Sequence, residues 1–235
     1  MRINRYIAAC GLCSRRKADQ FIEDGKVTID GKVVEKNYDV KDGDKVLVFG
    51  KSISKEKNYY FMLNKPPGYL SAVSDSRKKV VTDLIKSEAR LFPVGRLDYN
   101  SEGLILMTND GDLTNKLLHP SRKVIKEYYV VVKGELRREV IKAFNEGILL
   151  KGEERKTLPA KIRTVSFENG RSHLSIKISE GKKRQIRRML EKFRYEIFLL
   201  RRVAMGSLRM KGLKVGDYRE LTGSEIRGLL NETNT

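Results

Sequence analysis

The chain has 235 residues, of which 40% are hydrophobic and 34% charged, and its formal net charge is +19. That length allows one or two domains with a packed core, and no run approaches the ~18 apolar residues of a membrane span. A charge this large is costly in self-repulsion unless a polyanion neutralises it, and nucleic acid is the natural candidate, because basic side chains displace its condensed counterions.

At the N-terminus, Met1 to Ala9 holds basic residues but no long apolar stretch. No signal peptide is read there, and a cytoplasmic location is predicted. Ile3, Tyr6, Ile7 and Ala8 form an apolar pattern that predicts a short helix ended by Gly11. Ser14 fits an N-cap, and a second helix is predicted to about Glu23 with Ala18, Phe21 and Ile22 inward. Asp24-Gly25 closes it by allowing positive φ. Val27-Thr28-Ile29 and Lys32-Val33-Val34 flank Asp30-Gly31, a two-residue hairpin signal. A last strand is predicted from Lys45 to Phe49. Residues 1–51 thus read as one unit of two helices and a small sheet.

The two cysteines, Cys10 and Cys13, form a C-x-x-C. A structural zinc site needs four ligands, and the two histidines, His119 and His173, are each isolated in sequence. A redox motif would follow a strand, and none is predicted there. The cysteines read instead as small buried side chains at a helix end, and no disulfide framework is implied.

Basic residues in this unit are grouped. Arg2 and Arg5 lie on the first helix, and Arg15, Arg16 and Lys17 occupy the first turn of the second. Cations there oppose the helix dipole, so helix stability does not explain them. Contact with phosphate does, with a solvated charged face as the alternative. The run R-I-N-R-Y-I-A, G-L-C-S-R-R-K-A and G-K-V-T-I-D-G-K resembles the alpha-L RNA-binding domain. That domain is shared with a small-subunit ribosomal protein and tyrosyl-tRNA synthetases, and the match covers about the first fifth of the chain.

Residues 52–58 are polar and lysine-rich and read as a linker. Residues 59–235 read as one further domain. Its predicted strands are Tyr59 to Leu63, Gly103 to Thr108, Tyr128 to Val132, Lys161 to Val165 and Leu174 to Ile178. Its predicted helices are about Asp112 to Leu118, Arg138 to Asn145 and Lys183 to Phe193. The pattern predicts a mixed α/β or α+β domain.

Three segments of this domain carry candidate chemistry. Pro93 to Gly103 is a loop rich in glycine and charge that runs into an apolar strand, a common place for reactive groups. Asp98 and Glu102 are spaced as a carboxylate pair on a helix would be, but Asn100 and Gly103 argue for a loop. From the residues alone, Asp98 reads as a turn or capping residue. In Lys126 to Val132, alternation puts Tyr128, Val130 and Val132 on one face and Tyr129 with Val131 on the other. Tyr128 can stack on an exposed base or fill the core. In Glu180 to Leu190, five basic residues, Lys182, Lys183, Arg184, Arg187 and Arg188, crowd the start of a helix whose Ile186, Met189, Leu190 and Phe193 share a face. Their position against the dipole favours anion binding.

Taken in order, F-M-L-N-K-P-P-G at Phe61 to Gly68, G-R-L-D-x-x-S-E-G-L, K-x-Y-x-V and G-x-x-x-Q-I-R-R-M resemble the RNA pseudouridine synthases. The subgroup is similar to the ribosomal small-subunit and related large-subunit uridine enzymes, and the resemblance covers almost the whole chain. It reverses the reading of Asp98, onto which the family's catalytic aspartate falls. The family's tyrosine that packs against the target base falls on Tyr128, and its partner to the aspartate falls on Arg187. Arg96 belongs to the catalytic loop and would help hold the flipped strand. Lys183, Arg184 and Arg188 join Arg2, Arg5, Arg15, Arg16 and Lys17 as expected RNA contacts. The resemblance also implies an α+β fold, with a central mixed, largely antiparallel sheet flanked by helices.

Conversion of uridine to pseudouridine involves no redox change and loses no group, so no cofactor is expected. The sequence has no Gly-rich phosphate loop. The target base must leave its stack, at a cost of a few kcal/mol. The expected partner is structured ribosomal RNA, free or in an assembling particle, and the expected state is a monomer. A non-catalytic RNA-binding or ribosome-assembly protein on the same scaffold is the competing reading. A DNA-binding regulator using Ser14 to Glu23 as a recognition helix does not need the large second domain.

Overall fold

The computed structural model describes residues 1–232. Two helices open the chain, α1 (Ile3–Ala9) and α2 (Arg15–Glu23). The Ser14 hydroxyl accepts the Lys17 amide at 3.2 Å and so caps α2. Four short strands follow: β1 (Val27–Ile29), β2 (Lys32–Val33), β3 (Val46–Val48) and β4 (Lys51–Ser52). They form an antiparallel sheet in the order β2-β1-β3-β4. Asp30 and Gly31 both have positive φ, 49° and 81°, as a tight two-residue hairpin of matching twist requires. Ile3, Ile7, Ala18, Ile22, Val27 and Val48 make one buried cluster between helices and sheet.

The sequence pattern does not predict β4. Its two residues are exposed and polar, and their backbone pairing alone makes them a strand. The chain beyond it stays attached to its surroundings. Ile53 packs on the N-terminal cluster, the Glu56 amide donates to the Ala9 carbonyl at 3.3 Å, and Asn58 bonds Asp110 at 3.3 Å.

The rest of the chain builds a nine-stranded sheet. Its elements in chain order are β5 (Tyr60–Lys65), β6 (Phe92–Pro93), β7 (Glu102–Thr108), α3 (Gly111–Leu118), β8 (Lys126–Lys133), α4 (Arg138–Glu146), β9 (Lys161–Glu168), β10 (Arg171–Ile178), α5 (Gln185–Glu191), β11 (Ile197–Met205), β12 (Leu208–Arg209), β13 (Tyr218–Glu220) and α6 (Gly223–Glu232). The main path runs β13-β5-β7-β11-β8-β10-β9, with β6 on β7 and β12 on β11. Every pair is antiparallel except β7 with β11. This is the mixed, largely antiparallel α+β arrangement expected.

The sheet has two buried faces, because side chains alternate along each strand. Leu63, Ile105, Met107, Tyr128, Val130 and Ile176 face α4 and α5, which contribute Val140, Phe144, Ile186 and Met189. Met62, Leu104 and Leu106 face the opposite way, onto Leu113 and Leu117 of α3 and Leu229 of α6. The sequence pattern does not predict β11, which sits at the centre of the sheet. Arg201 and Arg202 interrupt its apolar run, but Arg201 pairs with Glu102 and buried Arg202 donates to the Leu104 carbonyl at 2.7 Å. Gly103 stands opposite Arg202, where a Cβ would collide with the Arg202 backbone, so only glycine permits this strand approach.

Candidate active site

Asp98 lies on the loop between β6 and β7, and that loop is held from several sides. Leu97 anchors it in the core. The Ser71 hydroxyl donates to the Leu97 carbonyl and accepts the Leu97 amide, each at 3.0 Å. The Ser101 amide closes a turn onto the Asp98 carbonyl at 3.0 Å, and the Gly68 amide reaches the Tyr99 carbonyl at 2.9 Å. Beneath the turn, Lys65 at the end of β5 is 0% exposed. Its ammonium donates to the carbonyls of Pro66 (2.9 Å), Tyr99 (3.3 Å) and Ser101 (2.8 Å). Burial pushes the Lys65 amine down to about 8, opposed by the charges of Asp98 and Glu102. The N-K-P-P-G segment displays Lys65 in sequence, but no local pattern marks a lysine there as buried.

The carboxylate faces Arg187 of α5, with Arg187 Nε 3.6 Å from Asp98 Oδ2. The Asp98 side chain is 31% exposed and that of Arg187 14%, so the pair is largely sheltered from solvent. Arg187 Nη2 also donates to the Asn100 carbonyl at 3.3 Å and the Ser101 hydroxyl at 3.2 Å. Burial lowers the guanidinium pKa, and the neighbouring Asp98 opposes that shift.

Tyr128, on β8, is 8% exposed and belongs to the main core. It also lines the same cleft of about 80 Å³ as Asp98, together with Leu97, Ile178, Ile186 and Leu200. The side chain therefore fills the core and also borders the cleft. Its neighbour Tyr129 points to the other face and bonds His173 at 2.5 Å. Glu102 turns to Arg201 rather than to Asp98, so the two carboxylates do not form a pair.

The basic residues divide. Arg96 and Arg184 line the cleft, and both are exposed. Arg184 adopts left-handed backbone at φ 50°, which delays the start of α5 to Gln185 and leaves exposed Lys183 ahead of the helix. Arg188 points elsewhere, bonding Glu153 at 2.9 Å and the Lys151 carbonyl at 2.6 Å. In the N-terminal unit, Arg15, Arg16 and Lys17 are exposed at the start of α2, with Lys17 over the Phe21 ring at 5.2 Å. Arg2 bonds Asn37, and Arg5 pairs with Asp112 of α3. A cavity of about 450 Å³ between the N-terminal unit and the large sheet is lined by Arg5, Arg15, Arg90 and Phe92, away from Asp98. Lys78, on the loop carrying Ser71, sits 4.9 Å over the ring of Tyr99.

Cys10 ends α1 and Cys13 is buried in the N-terminal core. Burial raises both thiols, Cys10 to about 11. Among the described residues, no group of three or more His, Cys, Asp and Glu is gathered as a metal site would need.

The chain around this site is similar to known proteins over almost its whole length. Residues 59–192 match the RNA pseudouridylate synthase family, and residues 1–46 match the S4 domain. The chain belongs to the RNA pseudouridylate synthase family and carries an S4 domain at its N-terminus. It is 42% identical over 233 residues to the ribosomal large subunit pseudouridine synthase B of Bacillus subtilis (strain 168), covering 97% of this chain and 95% of that one. It is 37% identical over 229 residues to the dual-specificity RNA pseudouridine synthase RluF of Escherichia coli (strain K12), covering 96% and 77%. A solved pseudouridylate synthase crystal structure aligns with a TM-score of 0.72 at 29% identity, over 97% of this chain and 99% of the other.

Proposed function

We propose that this chain isomerises a specific uridine of ribosomal RNA to pseudouridine, with Asp98 as the catalytic carboxylate. The observation that carries this reading is the meeting of three distant segments: Asp98 and Tyr128 line one cleft, and Arg187 pairs with Asp98. The named activity of the Bacillus subtilis relative supports the ribosomal substrate.

In the reaction the glycosidic carbon–nitrogen bond breaks, the uracil rotates within the cleft, and a carbon–carbon bond forms from C5 to the same sugar carbon. No atom is lost overall, and the C5 proton leaves to solvent as N1 gains one. Asp98 serves as nucleophile or as base toward a sugar proton, and both roles use the carboxylate that Arg187 pairs with. Tyr128 packs against the extruded base. Arg96, Lys183 and Arg184 meet phosphates beside the cleft, while Arg15, Arg16 and Lys17 hold RNA from the N-terminal unit. Residues 1–51 then act as the RNA-binding domain, 52–58 as its connection, and 59–235 as the catalytic domain. The enzyme works as a cytoplasmic monomer on free or assembling ribosomal RNA.

The test is to incubate the purified protein with unmodified small- and large-subunit ribosomal RNA and with transfer RNA, then map pseudouridine. New pseudouridine at a defined ribosomal position is expected. Modification confined to transfer RNA would overturn the substrate assignment.

A further inference from the structure

The segment that precedes the Asp98 loop in sequence crosses beside it in space, and one hydroxyl joins the two. Ser71 bonds both polar groups of Leu97, donating to its carbonyl and accepting its amide at 3.0 Å each. Ser71 is itself on fixed backbone. Leu70 bridges to Val80, with the Leu70 amide on the Lys79 carbonyl and the Val81 amide on the Leu70 carbonyl, both at 2.9 Å. Two residues further on, the Thr82 hydroxyl holds the Val73 carbonyl at 2.9 Å.

The Leu97 carbonyl belongs to the peptide unit that leads into Asp98. Its orientation therefore sets the direction from which the Asp98 Cα departs. The next peptide plane is fixed by the Ser101 amide on the Asp98 carbonyl. With both flanking planes set, the carboxylate retains only its side-chain torsions, and Arg187 restrains those. We propose that Ser71 is a positioning residue for Asp98, acting through the Leu97 peptide. The inference rests on the reading of Asp98 as the catalytic carboxylate. Its physical content is that a reacting group displaced by about 1 Å loses on the order of a hundredfold in rate.

The experiment compares Ser71→Ala, Ser71→Thr and Asp98→Asn in tritium release from C5-labelled uridine in ribosomal RNA, with RNA affinity and Tm measured in parallel. Ser71→Ala should lower kcat by about tenfold to a hundredfold, with KM and RNA affinity unchanged. Ser71→Thr keeps the hydroxyl and should return most of the kcat. If Ser71→Ala folds poorly, Ser71→Cys keeps the size with a weak donor and should show the same kcat loss. A wild-type kcat without the hydroxyl, a Thr variant as slow as Ala, or equal losses of turnover and affinity would each overturn the proposal. Turnover by Asp98→Asn would instead overturn the reading of Asp98, so the two failures are distinguishable.

Discussion

Arg187 and Asp98 meet at 3.6 Å, and the same guanidinium bonds the Asn100 carbonyl and the Ser101 hydroxyl of the loop that carries the carboxylate. One arginine from α5 thus neutralises Asp98 and ties down its turn. Arg187→Ala should lower kcat by about a hundredfold, the usual cost of losing one preorganised electrostatic partner. Arg187→Lys keeps the charge but not the fork of donors, and should recover only part of that loss. Steady-state kinetics on both variants checks the order. Equal activity in Ala and Lys would mean that the charge does not matter.

RNA affinity should fall steeply with salt, with each phosphate contact on single-stranded RNA adding about −0.7 to the log–log slope. Replacing Arg15, Arg16 and Lys17 together by alanine should flatten that slope by about 2 if all three meet phosphates. The turnover number at saturating RNA should stay the same. An unchanged slope would remove the start of α2 from the RNA-binding surface.

Much of the fold is legible in sequence, because short-range chemistry writes itself into short motifs, whereas the residues alone read Asp98 as a turn and only the family resemblance marks it as catalytic. Ser14 as a cap, Asp30-Gly31 as a hairpin turn, and the α5 face of Ile186, Met189 and Leu190 all follow from local rules. What escaped depends on long-range partners. β11 looks too charged for a central strand until Glu102 and the Leu104 carbonyl are brought to Arg201 and Arg202. Lys65 is a surface residue by type and becomes buried only because three carbonyls converge on it. Arg188 looks like a phosphate ligand until Glu153, 35 residues away, accepts it. The C-terminal helix was a missed local signal. Thr222-Gly223-Ser224-Glu225 is a capping box, with the Thr222 amide on Glu225 at 2.9 Å and the Glu225 amide on Thr222 at 3.3 Å.

That box gives an acid-stability prediction. Glu225 also receives both arms of Arg219, at 2.7 and 2.8 Å. The Arg219 bonds, foremost, hold its carboxyl at about 2, below the ordinary 4.5. A depressed carboxyl pKa stabilises the fold above the unfolded value and loses that contribution as pH falls through the folded one. The pair is partly exposed, so Glu225→Gln should cost only about 1 kcal/mol at pH 7. In urea unfolding, that difference should shrink as pH falls from about 4.5 toward 2. A difference independent of pH would show that the charge is not what anchors α6.

Cys10 should be a poor nucleophile. With its thiol raised to about 11 by burial, opposed by Lys55, little thiolate exists at pH 8. Alkylation of Cys10 in the folded protein should run at least about tenfold slower than after unfolding. Alkylation at the unfolded rate would indicate an accessible, activated cysteine and reopen the C-x-x-C as a reactive motif.

The central claim is that the Asp98 carboxylate does the chemistry. Asp98→Asn keeps size and shape but removes the negative charge and a nucleophilic oxygen, so isomerisation should disappear at every pH. RNA binding should remain, or tighten slightly, because a negative charge beside phosphates is gone. The measurement is tritium release from C5-labelled uridine in ribosomal RNA, with affinity for the same RNA determined alongside. The account predicts no release with binding intact. Normal release by Asp98→Asn would contradict it, and parallel loss of binding and release would make Asp98 a structural residue of the loop.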